Sequence, residues 1–367
     1  NSTSCQPLLL NAIELEQFRN LTSARLEFVD GLNLLVGANG AGKTTVLEAI
    51  HLLARGKSFR SSRPVNVVQK GKGLLRARAE VRSREGIRHT LGIEKPVVGP
   101  RRLRLDGEAS KSAATLAAYL PIQLLLPSVG DFVFGGPGTR REFIDWGLFH
   151  VKQNYVETAR RYRKSLKQRN AWLRQAGTVQ TEEDPWLALI TETGHLINDL
   201  REEYLKDFAH HFSSVLERLD SNLACHVEYN VGGYEKNLAD TRKKMTEALQ
   251  REVKSGSTQL GPHRADLIIR MDEASASETA SRGQGKAIAS AAALAQASLM
   301  ANKHQRSSLV LIDDIGAEFD SEHRMNLLQV LAGIGSQVIA TATEPLPEAL
   351  SVLAADRIRV FHVEQGT

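Results

Sequence analysis

The sequence predicts an α/β protein whose main domain is assembled from both ends of the chain and interrupted by a mainly helical insertion. Three observations carry this. A short apolar strand, Leu32–Val36, runs into a glycine-rich turn and then into an amphipathic helix. Much later, Leu309-Val310-Leu311-Ile312 reads as a buried strand ending on Asp313-Asp314. Between these two, apolar residues recur at helical spacing over residues 155–204.

The first segment, Leu8–Phe18, is strand-like, with Leu10, Ile13, Leu15 and Phe18 as apolar anchors, and Ala24–Val29 is a second strand. After the Leu32–Val36 strand, a helix runs from Gly42 to Arg55 with Val46, Leu47, Ile50 and Leu53 on one face. Residues 64–106 alternate as strands through Leu74-Leu75, Ala77, Ala79 and Val81, then His89–Ile93 and Leu103–Leu105, with glycines marking the turns. From Ser110 the pattern turns helical. Tyr155, Ala159, Tyr162, Leu166 and Leu173 form one stripe, interrupted by Arg169; Trp186, Ile190, Ile197, Leu200 and Tyr204 form another. The polar run Ala176–Pro185 joins them, and Pro185 marks a helix start. The pair fits either a helical arm or two core helices of a subdomain. From Gly256 the α/β pattern returns: helix Ala287–Leu299, strand Ser308–Ile312, helix Arg324–Leu331 and strands Gln337–Thr341 and Arg357–Val363. The expected division is a head of residues 1–115 and 256–367, with an insertion of residues 116–255.

Gly37-Ala38-Asn39-Gly40-Ala41-Gly42-Lys43-Thr44 matches G-x-x-x-x-G-K-[ST] in the strand–turn–helix setting that gives the motif its meaning. The glycines let backbone N–H groups close around phosphate at a helix N-terminus. Lys43 reaches the outer phosphates, Thr44 ligates Mg²⁺, and Thr45 belongs to the same nucleotide set. The pattern therefore calls for ATP and Mg²⁺. At the acidic strand, Asp313 holds the metal, and Asp314 orients the attacking water as a catalytic group with Lys43. Ser281-Arg282-Gly283-Gln284 precedes the helix before that strand. Phosphate loop, S-x-G-Q and acidic strand, in this order, resemble the arrangement of ATP-binding-cassette ATPases. There Ser281, Gly283 and Gln284 would meet the γ-phosphate held by an opposite protomer.

Charge adds a second theme. The 367 residues carry 47 Lys and Arg against 42 Asp and Glu, a net +5. Residues 55–104 hold fifteen basic and three acidic residues, and residues 151–180 hold eight against one. The remainder is net acidic. Two concentrated basic segments suit a polyanion, and Arg60, Arg63, Arg76 and Arg78 are the candidates for DNA contact. Composition is that of a globular protein, with 42% hydrophobic and 24% charged residues. No apolar run is long enough for a membrane helix, and the two cysteines suit a reducing, cytoplasmic setting.

At these blocks the chain resembles the RecF family of bacterial recombination mediators. Asn11–Asn20 with Leu32–Thr45, Gly56-Lys57-Ser58-Phe59-Arg60, Gly135-Gly136-Pro137 with Arg140-Arg141 and Phe143-Ile144-Asp145, Lys167–Asn170, Gly261–Asp266, Ser281–Lys286 and Leu311–Asp314 carry the resemblance in order. It implies a cassette ATPase head, related to SMC heads, with a short helical arm. It implies an ATP-dependent homodimer on double-stranded DNA at single-strand gap junctions, acting with RecR and RecO to load the recombinase. Slow hydrolysis would release the dimer. His263 and Arg264 would line the ATP site by the same resemblance; on sequence alone they are turn residues. Asp320 is either a dimer-contacting loop residue or a helix N-cap.

The chain departs from the family pattern at Gly285, where a second Gln is usual, and at Leu126–Val129, which lacks an acid. Gln123 is a weak candidate for the cassette Q-loop, and Thr341-Ala342-Thr343 stands where many cassettes carry a switch histidine. Two alternatives remain: the ATPase subunit of a transporter, and an ATP-binding scaffold with weakened turnover. Asp at 314 and the basic segments argue against the transporter.

Overall fold

The computed structural model describes residues 8–61, 63–83, 86–126, 130–176, 184–305, 307–318 and 320–364. Pro127-Ser128-Val129, most of the expected Ala176–Pro185 loop, and Phe319 lie outside them. The chain divides into two compact units. The first comprises residues 1–129, 214–222 and 290–367; the second comprises residues 130–213 and 223–289.

The strands, in chain order, are β1 (Leu8–Phe18), β2 (Leu21–Glu27), β3 (Leu32–Val36), β4 (Leu74–Ser83), β5 (Arg88–Pro96), β6 (Arg102–Leu105), β7 (Glu108–Ser110), β8 (Ile122–Leu125), β9 (Cys225–Asn230), β10 (Asp266–Met271), β11 (Ala274–Ser275), β12 (Leu309–Ile312), β13 (Val338–Ala342) and β14 (Ile358–His362).

The first unit holds two sheets. An antiparallel sheet runs β2-β1-β4-β5-β6-β7, and a parallel sheet runs β14-β3-β13-β12-β8. Strands β3, β12 and β13 are buried along their whole length, as expected of a parallel sheet covered on both faces. β4 alternates instead: Leu75, Ala77, Ala79 and Val81 point inward, and Arg76, Arg78 and Arg82 outward. The helix Lys43–Arg55 contacts β1 and β4 of one sheet and β13 of the other, and eleven of its residues are buried. Gln337 joins the sheets. Its amide accepts from the Leu10 N–H at 2.9 Å and donates to the Leu10 carbonyl at 2.8 Å, beside the β1 bulge between Leu10 and Ala12. The bulge frees main-chain groups that a buried side-chain amide then satisfies.

β8 is the element that moves the sequence-based boundary. Ile122–Leu125 pairs in parallel with β12, so residues 116–129 fall in the first unit rather than with the insertion. Residues 256–289 fall in the second unit. The four residues Ile122–Leu125, soon followed by Pro127, give too short a signal to separate a strand from a helix edge.

The second unit is mainly helical and also carries the antiparallel sheet β11-β10-β9. Its helices include Pro137–Val151, Tyr155–Ala176, the larger part of Leu187–Leu219, and Leu238–Ser255. Tyr155, Ala159, Tyr162, Leu173, Ile190, Ile197 and Tyr204 are all buried, so the two expected stripes are core faces. Arg169 breaks its stripe for a physical reason. The side chain is fully buried and donates to Asp184 at 2.7 Å, Glu252 at 2.6 Å and the Thr258 hydroxyl at 2.8 Å. Asp184 also accepts the Trp186 N–H at 2.9 Å, which sets the start of the following helix. No helix among the described residues is long and apolar enough to cross a membrane.

Candidate nucleotide site and signature turn

The phosphate loop is built by β3 and by the helix that follows. Gly37 has no room for a side chain: a Cβ would stand 2.3 Å from the Val363 carbonyl oxygen. Gly40 and Gly42 adopt φ of +83° and +120°, which side chains rarely tolerate. Gly42, preceding the helix Lys43–Arg55, gives it no side-chain cap, so its leading N–H groups are left for an anion. Lys43 is 7% exposed and its ammonium donates to the carbonyls of Gly37 at 2.6 Å and Ala38 at 2.9 Å. It is held inside the loop it would serve. Ala38, Asn39 and Gly40 are exposed, while Ala41 is buried under the turn.

Thr44 donates to Asp313 Oδ1 at 2.8 Å, so the motif threonine and the β12-end aspartate meet as their chemistry requires. Asp313 Oδ1 also accepts from the Thr341 hydroxyl at 2.8 Å. Thr341 in turn accepts the Asp314 N–H at 2.8 Å. Asp314 has a left-handed backbone, φ +56°, and its Oδ1 is buried without a hydrogen-bond partner among the described residues. A hydroxyl and carboxylate oxygen form a hard-donor pair suited to Mg²⁺. An unsatisfied buried carboxylate oxygen beside it suits a water. The residues present therefore fit Mg²⁺ and a positioned water.

Asn20 is a residue that sequence reasoning passed over. Its side chain donates to the Gly40 and Ala41 carbonyls at 3.4 and 3.3 Å and accepts from Thr45 at 3.0 Å. The Thr45 hydroxyl is thus used to hold the turn. Glu48, fully buried, pairs with Arg19 and with the Ser58 hydroxyl. Ser58 Oγ accepts the N–H groups of Arg60 and Ser61, both at 3.0 Å. The Lys57–Arg60 segment is therefore anchored to the phosphate-loop helix.

The signature turn lies in the second unit. Ser281 N–H donates to Gln284 Oε1 at 2.8 Å, and Gln284 N–H donates to Ser281 Oγ at 3.2 Å. This reciprocal pair is a capping box on the helix Arg282–His304. Ser281 and Gly283 are exposed, and the Ser281 hydroxyl keeps its proton to donate outward.

The remaining expected residues are placed as follows. Gln123 is buried in β8 and donates to Gln296 at 3.1 Å, a core contact. Asp320 caps its helix through the His323 N–H at 2.9 Å. His263 and Arg264 sit in a turn of the second unit. His263 lies between the Tyr162 hydroxyl at 2.7 Å and the Thr258 carbonyl at 3.0 Å. Burial, with Arg264, Arg141 and Arg169 nearby, lowers His263 to about 4, against a pull the other way from its bond to Thr258. Arg60 and Arg63 are exposed, with no ion-pair partner among the described residues. Arg76 is tied to Glu94 at 3.0 Å and Glu16 at 3.3 Å, and Arg78 to Glu14 at 3.6 Å.

Comparison with known proteins places this geometry in a family. The RecF/RecN/SMC N-terminal domain family matches residues 9–367. A curated relative from Shewanella loihica, described as DNA replication and repair protein RecF, is 34% identical over 358 residues, 97% of this chain and 98% of the relative. The chain belongs to the RecF family. The RecF of Pseudomonas aeruginosa strain LESB58 is 35% identical over 357 residues, 97% of this chain and 96% of its own. Among solved structures, the recombination mediator RecF bound to ATP matches with a TM-score of 0.84 at 26% identity, covering 95% of each chain. The Smc head domain from Pyrococcus furiosus matches at 15% identity, TM-score 0.60, covering 98% of this chain and 95% of that one, a likeness of fold alone. The chain thus has the ABC-type, SMC-like ATPase head fold.

Proposed function

We propose that this chain is an ATP-switched, duplex-DNA-binding protein of recombinational repair. The observation that carries the reading is the convergence of Thr44, Asp313, Thr341 and Asp314 beside a phosphate loop whose helix begins without a side-chain cap. The loop binds ATP through Gly37–Thr45, with Thr44 and Asp313 on Mg²⁺. Bound Mg²⁺ neutralises charge on the β- and γ-phosphates. Lys43 leaves its two carbonyls for phosphate oxygens, and Asp314 orients the attacking water. Its carboxylate is shorter than a glutamate's and holds water less firmly, so hydrolysis is slow and acts as a release switch.

Ser281, Gly283 and Gln284 act in trans. Each protomer presents the capped helix N-terminus to ATP held by the other, making the homodimer ATP-dependent. The dimer binds double-stranded DNA at single-strand gap junctions in the cytoplasm. It works with RecR and RecO to load the recombinase, the RecFOR setting in which the ATP-bound relative is described. Arg60 and Arg63, exposed and without an ion pair among the described residues, are the better phosphate contacts. Arg76 and Arg78 must first give up their glutamates.

The test is fluorescence anisotropy of a labelled gapped duplex, titrated with protein with and without Mg-ATP at several salt concentrations. The reading predicts tighter binding with ATP and a steep loss of affinity with salt. Affinity indifferent to both contradicts it.

A further inference from the structure

Gly285 sits inside the first turn of the helix Arg282–His304, where glycine is a poorer helix former than alanine. The structure shows what occupies the place of a side chain. A Cβ on Gly285 would stand 2.4 Å from Cε2 and 2.6 Å from Cζ of Phe134. The Phe134 ring fills the notch. Gly130 lies against the same edge of the ring: its Cβ would stand 3.2 Å from Phe134 Cδ2.

The backbone that carries the ring is held firmly. It ends the short helix Asp131–Phe134, and the Gly135 N–H closes that turn on the Asp131 carbonyl at 3.0 Å. One Arg140 nitrogen donates to the carbonyls of Phe132, Val133 and Gly135 at 3.2, 3.4 and 2.8 Å. The rest of the same guanidinium grips Asp266 at 2.8 and 2.9 Å. Yet Phe134 is 42% exposed, the one aromatic among the large exposed apolar side chains of the described residues. The Gly285 N–H donates to the Ser281 carbonyl at 2.8 Å, so the ring sits one helical turn from the signature serine.

We infer that Phe134 is a dimer-positioning residue: its exposed ring edge, seated on Gly285, makes an apolar contact with a second, ATP-bound copy of this chain and fixes how Ser281 is presented to it. The inference rests on the ATP-dependent dimer proposed above. The occupant follows from place. A half-exposed ring one helical turn from Ser281 lies beside the surface that the partner must meet.

The experiment is sedimentation velocity of the full chain with Mg-ATP, beside binding of a fluorescent ATP analogue and a thermal melt. Phe134→Ala is expected to keep analogue affinity and melting temperature while weakening dimerisation at least tenfold. Phe134→Ala combined with Gly285→Leu refills the notch with an apolar side chain on the same face. It is expected to recover most of the dimer, which loss of fold would not allow. A Phe134→Ala protein that dimerises like wild type, or a double variant that stays as weak as the single one, overturns the inference. A wild-type chain that remains monomeric with ATP bound overturns the dimer reading itself and this inference with it.

Discussion

Thr44 and Asp313 lie 269 positions apart in sequence and 2.8 Å apart in the structure. The contact joins the helix after β3 to the end of β12, so it exists only once the parallel sheet has formed in the order β3-β13-β12. Thr341, at the fourth position of β13, completes it by donating to the same carboxylate oxygen.

Asp313→Asn keeps the shape and removes the charge that would face Mg²⁺. The amide can still accept from Thr44 and Thr341, so the fold should survive. ATP turnover, measured by phosphate release, should fall by about two orders of magnitude, the scale of losing one electrostatic stabiliser. The Mg²⁺ concentration for half-maximal ATP binding should rise. Unchanged Mg²⁺ dependence would remove Asp313 from the metal site.

Lys43→Met loses the ammonium now bonded to the Gly37 and Ala38 carbonyls. The loop glycines remain, so the change should spare the melt and abolish productive binding of ATP. Titration with a fluorescent ATP analogue checks this directly.

Arg169→Met leaves Asp184 and Glu252 facing a buried space without their cation. Breaking a buried pair from one side costs about 3–5 kcal/mol. Urea denaturation should show a loss on that scale. A loss below about 1 kcal/mol would mean that the carboxylates find water or other donors.

His263 gives a pH dependence with a definite sign. Its folded value is lowered to about 4 from an ordinary 6.5, so the folded chain binds fewer protons than the unfolded chain between these values. Stability is therefore full above about pH 6.5 and falls as pH drops toward 4, by on the order of 3 kcal/mol in all. His263→Gln should show a smaller drop in melting temperature between pH 7.5 and 5 than wild type. Equal drops in the two proteins would contradict a buried neutral imidazole.

Local chemistry was legible in the sequence. The phosphate loop is contiguous, and the positive φ of Gly40 and Gly42 belongs to its own turn. The Asp313-Asp314 pair was legible because a buried strand needs a polar end at the sheet's carboxyl edge. Side chains whose partners come from remote segments were not. Arg169 reads as a defect in a helical stripe until Asp184, Glu252 and Thr258 surround it. Asn20 looks like an ordinary turn residue, and only folding brings Gly40, Ala41 and Thr45 to it. Arg76 and Arg78 count as free positive charge in composition, whereas pairing of β4 with β1 and β5 sets glutamates beside them. β9 and β10 escaped notice because the long helices around them set the apparent character of the segment.

The most direct measurement is sedimentation velocity of the wild-type chain with and without Mg-ATP, with Ser281→Arg run beside it. A shift from monomer to dimer that requires ATP is expected, with a Ser281→Arg protein that binds ATP with wild-type affinity but stays monomeric. A wild-type chain that binds ATP and remains monomeric, or a Ser281→Arg protein that dimerises normally, would contradict the switch.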